Sequence, residues 1–361
     1  MVDERTPVTL ITGFLGSGKT TLLNSWLRSP DLAKAVVIVN EFGEVGIDHE
    51  LIASSNDNTI ELSTGCLCCT VKGDLVDTLR ELVVSREKGE ISAFSSVVIE
   101  TTGLADPAPV IQAIMTYPVA RLFRLDRVVT TVDTVNGAVT LANHPESVKQ
   151  AAVADDIVYT KTDISSEVSE LLTNVIAQLN PGARYHRSSP CNIPMPSDLA
   201  AVNIYDLNTK SKDVQAWLNI SAHQRSWAQQ EEKGVFDQPA LHFLKHDISR
   251  HSKEISSFVF EFETAMHWEH VANWLDALVL GHGPDLLRVK GILNIIGKEK
   301  PIVVQAVQSL FHPPFELNSW SEGTKRSSIV FITRNLTRDF VYEVYTTISK
   351  RVPVDASGMV T

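Results

Sequence analysis

The sequence predicts an α/β domain built on a mostly parallel sheet, followed by a smaller C-terminal α+β domain. Three observations predict it. Through the first half of the chain, short continuous apolar runs alternate with stretches of helical periodicity, the pattern of strands covered on both faces by helices. That rhythm stops at a polar stretch rich in Gln, Ser, Lys and Glu, after which apolar and polar residues alternate with period two. The length of 361 residues also exceeds what one ordinary hydrophobic core organises. Residues 1–205 are therefore expected to form the first domain, 206–239 a linker, and 240–361 the second domain.

Taken in order, Val8–Thr12 reads as a buried strand that runs into a glycine loop, with a helix from Lys19 to Arg28 behind it. Ala35–Asn40 is a second buried strand and Thr59–Leu62 a short third. Between Lys72 and Lys88, Leu75, Val76, Leu79, Leu82 and Val83 recur at helical spacing. Ser96–Glu100 is the next strand, followed by a helix after Asp106-Pro107. Arg127–Asp133 and Asp156–Thr160 are two more strands, with a helix starting near Pro145 between them and another over Glu167–Leu179. In the second domain, Ile255–Phe262 alternates as a half-buried strand does. His267–Leu280 is helical, with Val271, Trp274, Leu275 and Leu278 inward; strands follow at Ile292–Ile296, Ile302–Val307 and Ser328–Thr333, and a last helix over Thr337–Ile348.

Composition narrows the function. Hydrophobic residues make up 43% and charged residues 21%, which is ordinary for a globular chain. The net charge is -11, nearly all of it from residues 1–220, and there is no basic block. That argues against non-specific nucleic-acid binding, whose affinity comes from neutralising phosphates. No apolar run reaches the roughly 18 residues of a membrane span. The run Val8–Leu15 leads into a glycine turn, so it does not read as a signal peptide. A cytoplasmic protein with reduced thiols and no membrane partner is expected. With only four cysteines, a disulfide scaffold is excluded, yet Cys66, Cys68 and Cys69 fall within four positions.

Gly13-Phe14-Leu15-Gly16-Ser17-Gly18-Lys19-Thr20 fits GxxxxGK[ST], between a buried strand and a helix. This predicts a P-loop NTPase domain. The backbone of Gly13, Gly16, Ser17 and Gly18 would curl around phosphate oxygens and Lys19 would reach the β- and γ-phosphates. The Thr20 hydroxyl would ligate Mg²⁺, and Thr21 follows in the first helical turn. Val97–Glu100 ends a buried strand in a carboxylate and continues as Glu100-Thr101-Thr102-Gly103. Glu100 would hold Mg²⁺, and Gly103 would let the next loop follow the γ-phosphate. Thr160-Lys161-Thr162-Asp163 matches the guanine-reading NKxD pattern with Thr in place of Asn. Asp163 can accept hydrogen bonds from guanine N1 and N2 while Lys161 lies along the base. Each charge-assisted bond is worth about 1.5–3 kcal/mol, which disfavours ATP.

Gly65-Cys66-Leu67-Cys68-Cys69 offers three thiolates, soft ligands suited to Zn²⁺. Three leave a fourth position open, which suits a site that hands metal on. Cys191, alone beside Pro190, reads as an ordinary thiol. The pairs His242/His246 and His267/His270 could each share a helix face, but scattered histidines are more often ordinary surface or core residues.

These motifs together resemble the CobW-type metal-chaperone GTPases. The matching text is GFLGSGKTTLLN, then Asn40–Asp48 (NEFGEVGID), GCLCC, Val98–Pro107 (VIETTGLADP) and TKTD, with GILNIIG and SSIVFITR in the second domain. The resemblance implies a GTP-hydrolysing zinc carrier using GTP/GDP, Mg²⁺ and Zn²⁺, with slow intrinsic turnover and a client apo-metalloprotein as partner. It places Glu41, Glu44 and Asp48 in a first switch near Mg²⁺ or the thiol-bound metal, Glu100–Gly103 in a second, and the CxCC ligands on Cys66, Cys68 and Cys69. The departure at Thr160 carries guanine selectivity over less firmly than phosphate binding. Two rival readings are a metal buffer or sensor with little GTPase role and a small-molecule P-loop kinase. The sequence leaves the client, the oligomeric state, the physiological metal and the water-activating residue open.

Overall fold

A computed structural model describes residues 5–41, 59–63, 69–165, 167–199, 218, 255–311, 313–317, 319–320 and 325–351. The chain divides into two compact units, one mainly of residues before 202 and the other mainly of those after it.

The first unit is built on seven parallel strands: β1 (Thr6–Gly13), β2 (Ala35–Glu41), β3 (Thr59–Ser63), β4 (Ser96–Glu100), β5 (Phe123–Asp133), β6 (Asp156–Thr160) and β7 (Arg184–Arg187). Their order is β3-β2-β4-β1-β5-β6-β7, every pair parallel. The central strands are buried on both faces, which is why they read as continuous apolar runs. On one face Ile11, Val37, Val98, Val129 and Val158 pack against Leu22, Leu23 and Trp26 of α1 (Lys19–Leu27). Residues of the opposite parity, such as Val8, Leu10, Val97 and Ile99, are equally buried. Trp26 is anchored through Nε1, which donates to the Pro194 carbonyl at 2.7 Å.

The remaining α-helices described before residue 202 are α2 (Cys69–Glu87), α3 (Ala108–Met115), α4 (Gly137–Asn143), α5 (Pro145–Ala152), α6 (Glu170–Leu179) and the short α7 (Pro196–Leu199). The helix expected from Lys72 starts three residues earlier, so Cys69 opens α2. The sequence reading has no counterpart for α4, α7 or β7. His144, extended at φ -128° and ψ 105°, separates α4 from α5.

Among the described residues, the second unit holds a six-stranded sheet and two helices packed on it. Its strands are β8 (Ile255–Phe262), β9 (Leu286–Leu293), β10 (Ile302–Val307), β11 (Leu310–Phe311), β12 (Phe315–Glu316) and β13 (Ser327–Arg334). The order is β11-β10-β9-β13-β8, with β12 also on β10, and all pairs are antiparallel. Helices α8 (Trp268–His282) and α9 (Arg338–Arg351) cover one face, where Phe258, Phe260, Trp274, Leu275, Phe331 and Val341 form the core. Trp274 Nε1 donates to the Val341 carbonyl at 2.9 Å, tying the two helices together. The strand expected at Ile292–Ile296 runs instead over Leu286–Leu293. Ile295 lies beyond it, in an isolated bridge with Met266. Leu218, the one described residue of the expected linker, is helical and packs on the other face with Ile292, Val303 and Val330.

Candidate functional site

In the first unit the strands deliver their C-terminal ends to one edge of the sheet, where the loops that leave them converge. β1 ends at Gly13 and the chain turns through Gly16 and Gly18 into α1. Gly18 is the N-cap in a left-handed conformation, φ 93°, which is costly for any residue with a Cβ. No side chain caps the helix there, so its first N–H groups are placed to meet phosphate oxygens. Lys19 is buried and its Nζ donates to the Phe14 carbonyl at 3.2 Å. Ser17 turns inward, its hydroxyl 2.6 Å from that of Thr131, so what it can offer a phosphate is its backbone. Thr21 is exposed and, like Gly16, lines the cavity that opens here.

β4 pairs directly with β1 in a register that sets Glu100 beside Ile11. This brings the acid to the loop: the Thr20 hydroxyl donates to Glu100 Oε1 at 2.8 Å. The two are hard oxygen donors of the kind that suit Mg²⁺. Beyond Glu100, Thr101 is locked to β1, its hydroxyl 2.9 Å from Thr12 Oγ1 and its N–H 2.9 Å from the Ile11 carbonyl. Thr102 Oγ1 is buried with no hydrogen-bond partner among the described residues, and Thr102 lines the same cavity. Gly103 lies hard against the glycine loop: a Cβ on it would fall 2.6 Å from Leu15 N and 2.7 Å from Leu15 Cα.

The TKTD segment closes the other end. Thr160 sits opposite Asp133 in the β5–β6 register and donates to the Ser17 carbonyl at 2.7 Å. Thr at this position thus makes a hydrogen bond to the phosphate loop. Lys161 adopts a left-handed backbone, φ 58°, and its ammonium is held 2.7 Å from Asp133 Oδ2. Asp133 also accepts from the Val135 N–H at 2.7 Å and the Asn136 amide at 3.2 Å. Burial alone would raise the Asp133 pKa. The Lys161 ammonium and those N–H donors outweigh it and hold the carboxyl below its ordinary value. Asp163 is exposed on the loop that follows.

One cavity of about 990 Å³ joins these parts, with Leu15, Lys19, Thr20, Glu100, Asp163 and Ser189 among its walls. That size is at the upper end for a small-molecule site. The sequence reading missed one wall, Ser188–Pro190. It follows β7 at the edge of the sheet, and the Ser188 carbonyl accepts from the Thr162 hydroxyl at 2.9 Å. β7 is half exposed and reads Arg-Tyr-His-Arg, so it carries no apolar run to reveal it.

Asp48, Glu44, Cys66 and Cys68 lie outside the described residues, as do His242 and His246, and of Cys69 and Glu41 only the backbone is described. The rings of His267 and His270 are 5.2 Å apart at the start of α8. Among the described residues no group of three or more His, Cys, Asp or Glu is arranged to hold a metal ion. No helix among them is long and apolar enough to cross a membrane.

Comparison with known proteins gives two family matches. Residues 7–187 match the CobW/HypB/UreG nucleotide-binding domain, and residues 255–344 the cobalamin synthesis protein CobW C-terminal domain. The chain is 33% identical to the zinc chaperone YjiA of Escherichia coli, over 90% of its own length and 93% of the relative's. It is 31% identical to the zinc chaperone CobW of Pseudomonas aeruginosa, over 91% and 88%. A crystal structure of Zn(II)-bound YjiA GTPase from E. coli superimposes with a TM-score of 0.65 at 27% identity, covering 95% of this chain and 99% of that one.

Proposed function

Since the chain belongs to the CobW/HypB/UreG nucleotide-binding family, we propose that it is a GTP-hydrolysing zinc metallochaperone that passes its metal to a client apo-metalloprotein under nucleotide control. The observation that carries the nucleotide half is the single cavity running from the glycine loop, past the Thr20–Glu100 pair, to Lys161 and Asp163. The α1 N-terminus and Lys19 take the phosphates. Thr20 and Glu100 would hold Mg²⁺, which would supply positive charge to stabilise the transferring phosphoryl group. Asp163 accepts from guanine N1 and N2, with the Lys161 stem along the base and its ammonium tethered by Asp133.

The zinc half rests on Cys66, Cys68 and Cys69 and on relatives named zinc chaperones. Three thiolates make a soft, open site that can exchange its cargo. In the chain they lie between Asn40–Asp48 and Glu100–Gly103, the two segments that the family resemblance assigns as nucleotide switches. Contact of the γ-phosphate with those segments changes the thiol site or the surface beside it, and hydrolysis reverses the change.

The test is a Zn²⁺ titration against a competing chelator, repeated with GDP and with a non-hydrolysable GTP analogue. A difference in zinc affinity, or in capture of a client, between the two nucleotides is expected; identical behaviour refutes nucleotide control. Lys19→Ala is expected to abolish turnover and leave zinc bound, and replacement of all three cysteines to do the reverse.

A further inference from the structure

We propose that Gln150 is a positioning residue for the Glu100–Gly103 loop: it anchors the Gly103 and Ala105 peptides so that the loop, already against the phosphate loop, selects a nucleotide carrying a γ-phosphate. The inference rests on the guanine-nucleotide reading above and deepens it.

Gln150 lies on α5 and is 1% exposed. Its Nε2 donates to the Gly103 carbonyl at 3.2 Å and to the Ala105 carbonyl at 3.0 Å. Two carbonyl acceptors exhaust the two amide hydrogens and fix which way the side chain faces, because Oε1 has nothing to offer them. Oε1 is left buried with no hydrogen-bond partner among the described residues, and Gln150 also lines a second cavity of about 290 Å³ with Phe14–Ser17 of the glycine loop. A side chain serving only to fill space there would be apolar. An amide half unsatisfied in the interior points to the half that is used.

The rest of α5 reinforces the same loop. Lys149 Nζ holds Asp106 Oδ2 at 2.7 Å, and Asp106 Oδ1 in turn accepts from the Ala108 N–H at 3.0 Å where α3 begins. The Gln150 carbonyl accepts from the Thr130 hydroxyl of β5 at 2.7 Å, so the residue is itself held from the sheet. At the other end of the helix, His144 stacks on Phe14 of the glycine loop with ring centroids 4.3 Å apart. α5 is thus a strut with one end on the phosphate loop and the other on the loop that follows Glu100.

The anchor acts on the carbonyl side of Gly103. Gly103 itself lines the cavity, and the absence of a Cβ lets it sit against Leu15. An arrangement fixed before the ligand arrives does not have to be ordered by it, so the γ-phosphate gains the full value of the contact. GDP, which ends short of this loop, gains nothing from it.

The experiment uses the full chain and measures affinity for GDP and for a non-hydrolysable GTP analogue, with melting temperature alongside. Gln150→Met keeps length and volume but donates nothing. It is expected to lower the ratio of analogue to GDP affinity about tenfold, from the loss of two hydrogen bonds, with GDP affinity within about twofold. Gln150→Glu, which turns a carboxylate on two carbonyls, is expected to lower the ratio further. Lys149→Ala, at a partly exposed position, is expected to move it the same way by about threefold. Equal loss for both nucleotides, or an unchanged ratio, overturns the proposal and leaves Gln150 a packing residue. If Gln150→Met does not fold, an unchanged ratio in Lys149→Ala overturns it. A wild-type chain that binds neither nucleotide overturns the guanine-nucleotide reading itself, and this inference with it.

Discussion

Thr160→Val removes one hydroxyl and keeps the shape of the side chain. The hydroxyl donates to the Ser17 carbonyl at 2.7 Å and is also 3.4 Å from the Val132 carbonyl. Thr160 is buried, and its methyl and Cβ support Gly18, where an added Cβ would come within 3.2 Å of Thr160 Cγ2. The methyl survives in valine, so packing is retained and the bond alone is lost. Leaving a buried carbonyl short of a donor costs about 1–3 kcal/mol. Because the bond joins the glycine loop to the end of β6, both ends of the pocket loosen together. Expressed fully in binding, that range is a loss of about 5- to 150-fold for GDP and for a GTP analogue alike. Expressed in the fold, each kcal/mol is worth about 2–4 °C in a domain of this size. Titration of both nucleotides with thermal melts of the free protein reads the two components. If neither affinity nor melting temperature moves, the bond does no structural work and the coupling of Thr160 to Ser17 is wrong. Asparagine at 160, which also carries a donor, is expected to restore most of the loss.

Three further outcomes follow from the same geometry. Asp163→Ala is expected to weaken guanine-nucleotide binding by at least about 100-fold, from two charge-assisted bonds, and to erase the preference for GTP over ATP in competition assays. Gly103→Ala would set a Cβ 2.6 Å from the Leu15 backbone N; the loop must retreat, so hydrolysis is expected to collapse while GDP binding persists. For the Asp133–Lys161 pair the Asp133 pKa lies below its ordinary value when folded. Its contribution to stability is therefore complete above the unfolded value of about 3.9 and is lost as the pH falls through the lower folded value. Urea midpoints measured from pH 6 downward should show this component in the wild type and lack it in Asp133→Asn.

The sequence made some elements plain and hid others for identifiable reasons. Strands β1, β2, β4 and β6 are buried on both faces, so their apolar runs announce them. The glycine loop and TKTD, which line one cavity, are visible as motifs because they are defined by spacing along the backbone, which a sequence preserves. β9 was misplaced because it carries Arg288 and Lys290 while the neighbouring run Ile292–Ile296 is apolar; Arg288 is nevertheless buried. α4 went unseen because it is short and stands directly before α5, with only His144 between them. Gln150 was invisible for a different reason: its partners are main-chain carbonyls 45 and 47 positions away, and a carbonyl has no signature in a sequence.

The bare start of α1 makes the stability of this unit depend on the composition of its surroundings. Gly18 contributes no side chain to the first turn, so a bound phosphate completes what the chain omits. A ligand that binds only the folded form adds RT ln(1 + [L]/Kd), about 2.7 kcal/mol when free nucleotide stands at 100 times Kd. Depletion of guanine nucleotide would then expose the protein to unfolding and proteolysis as well as idling it. The abundance of the protein would follow the supply of the nucleotide it binds.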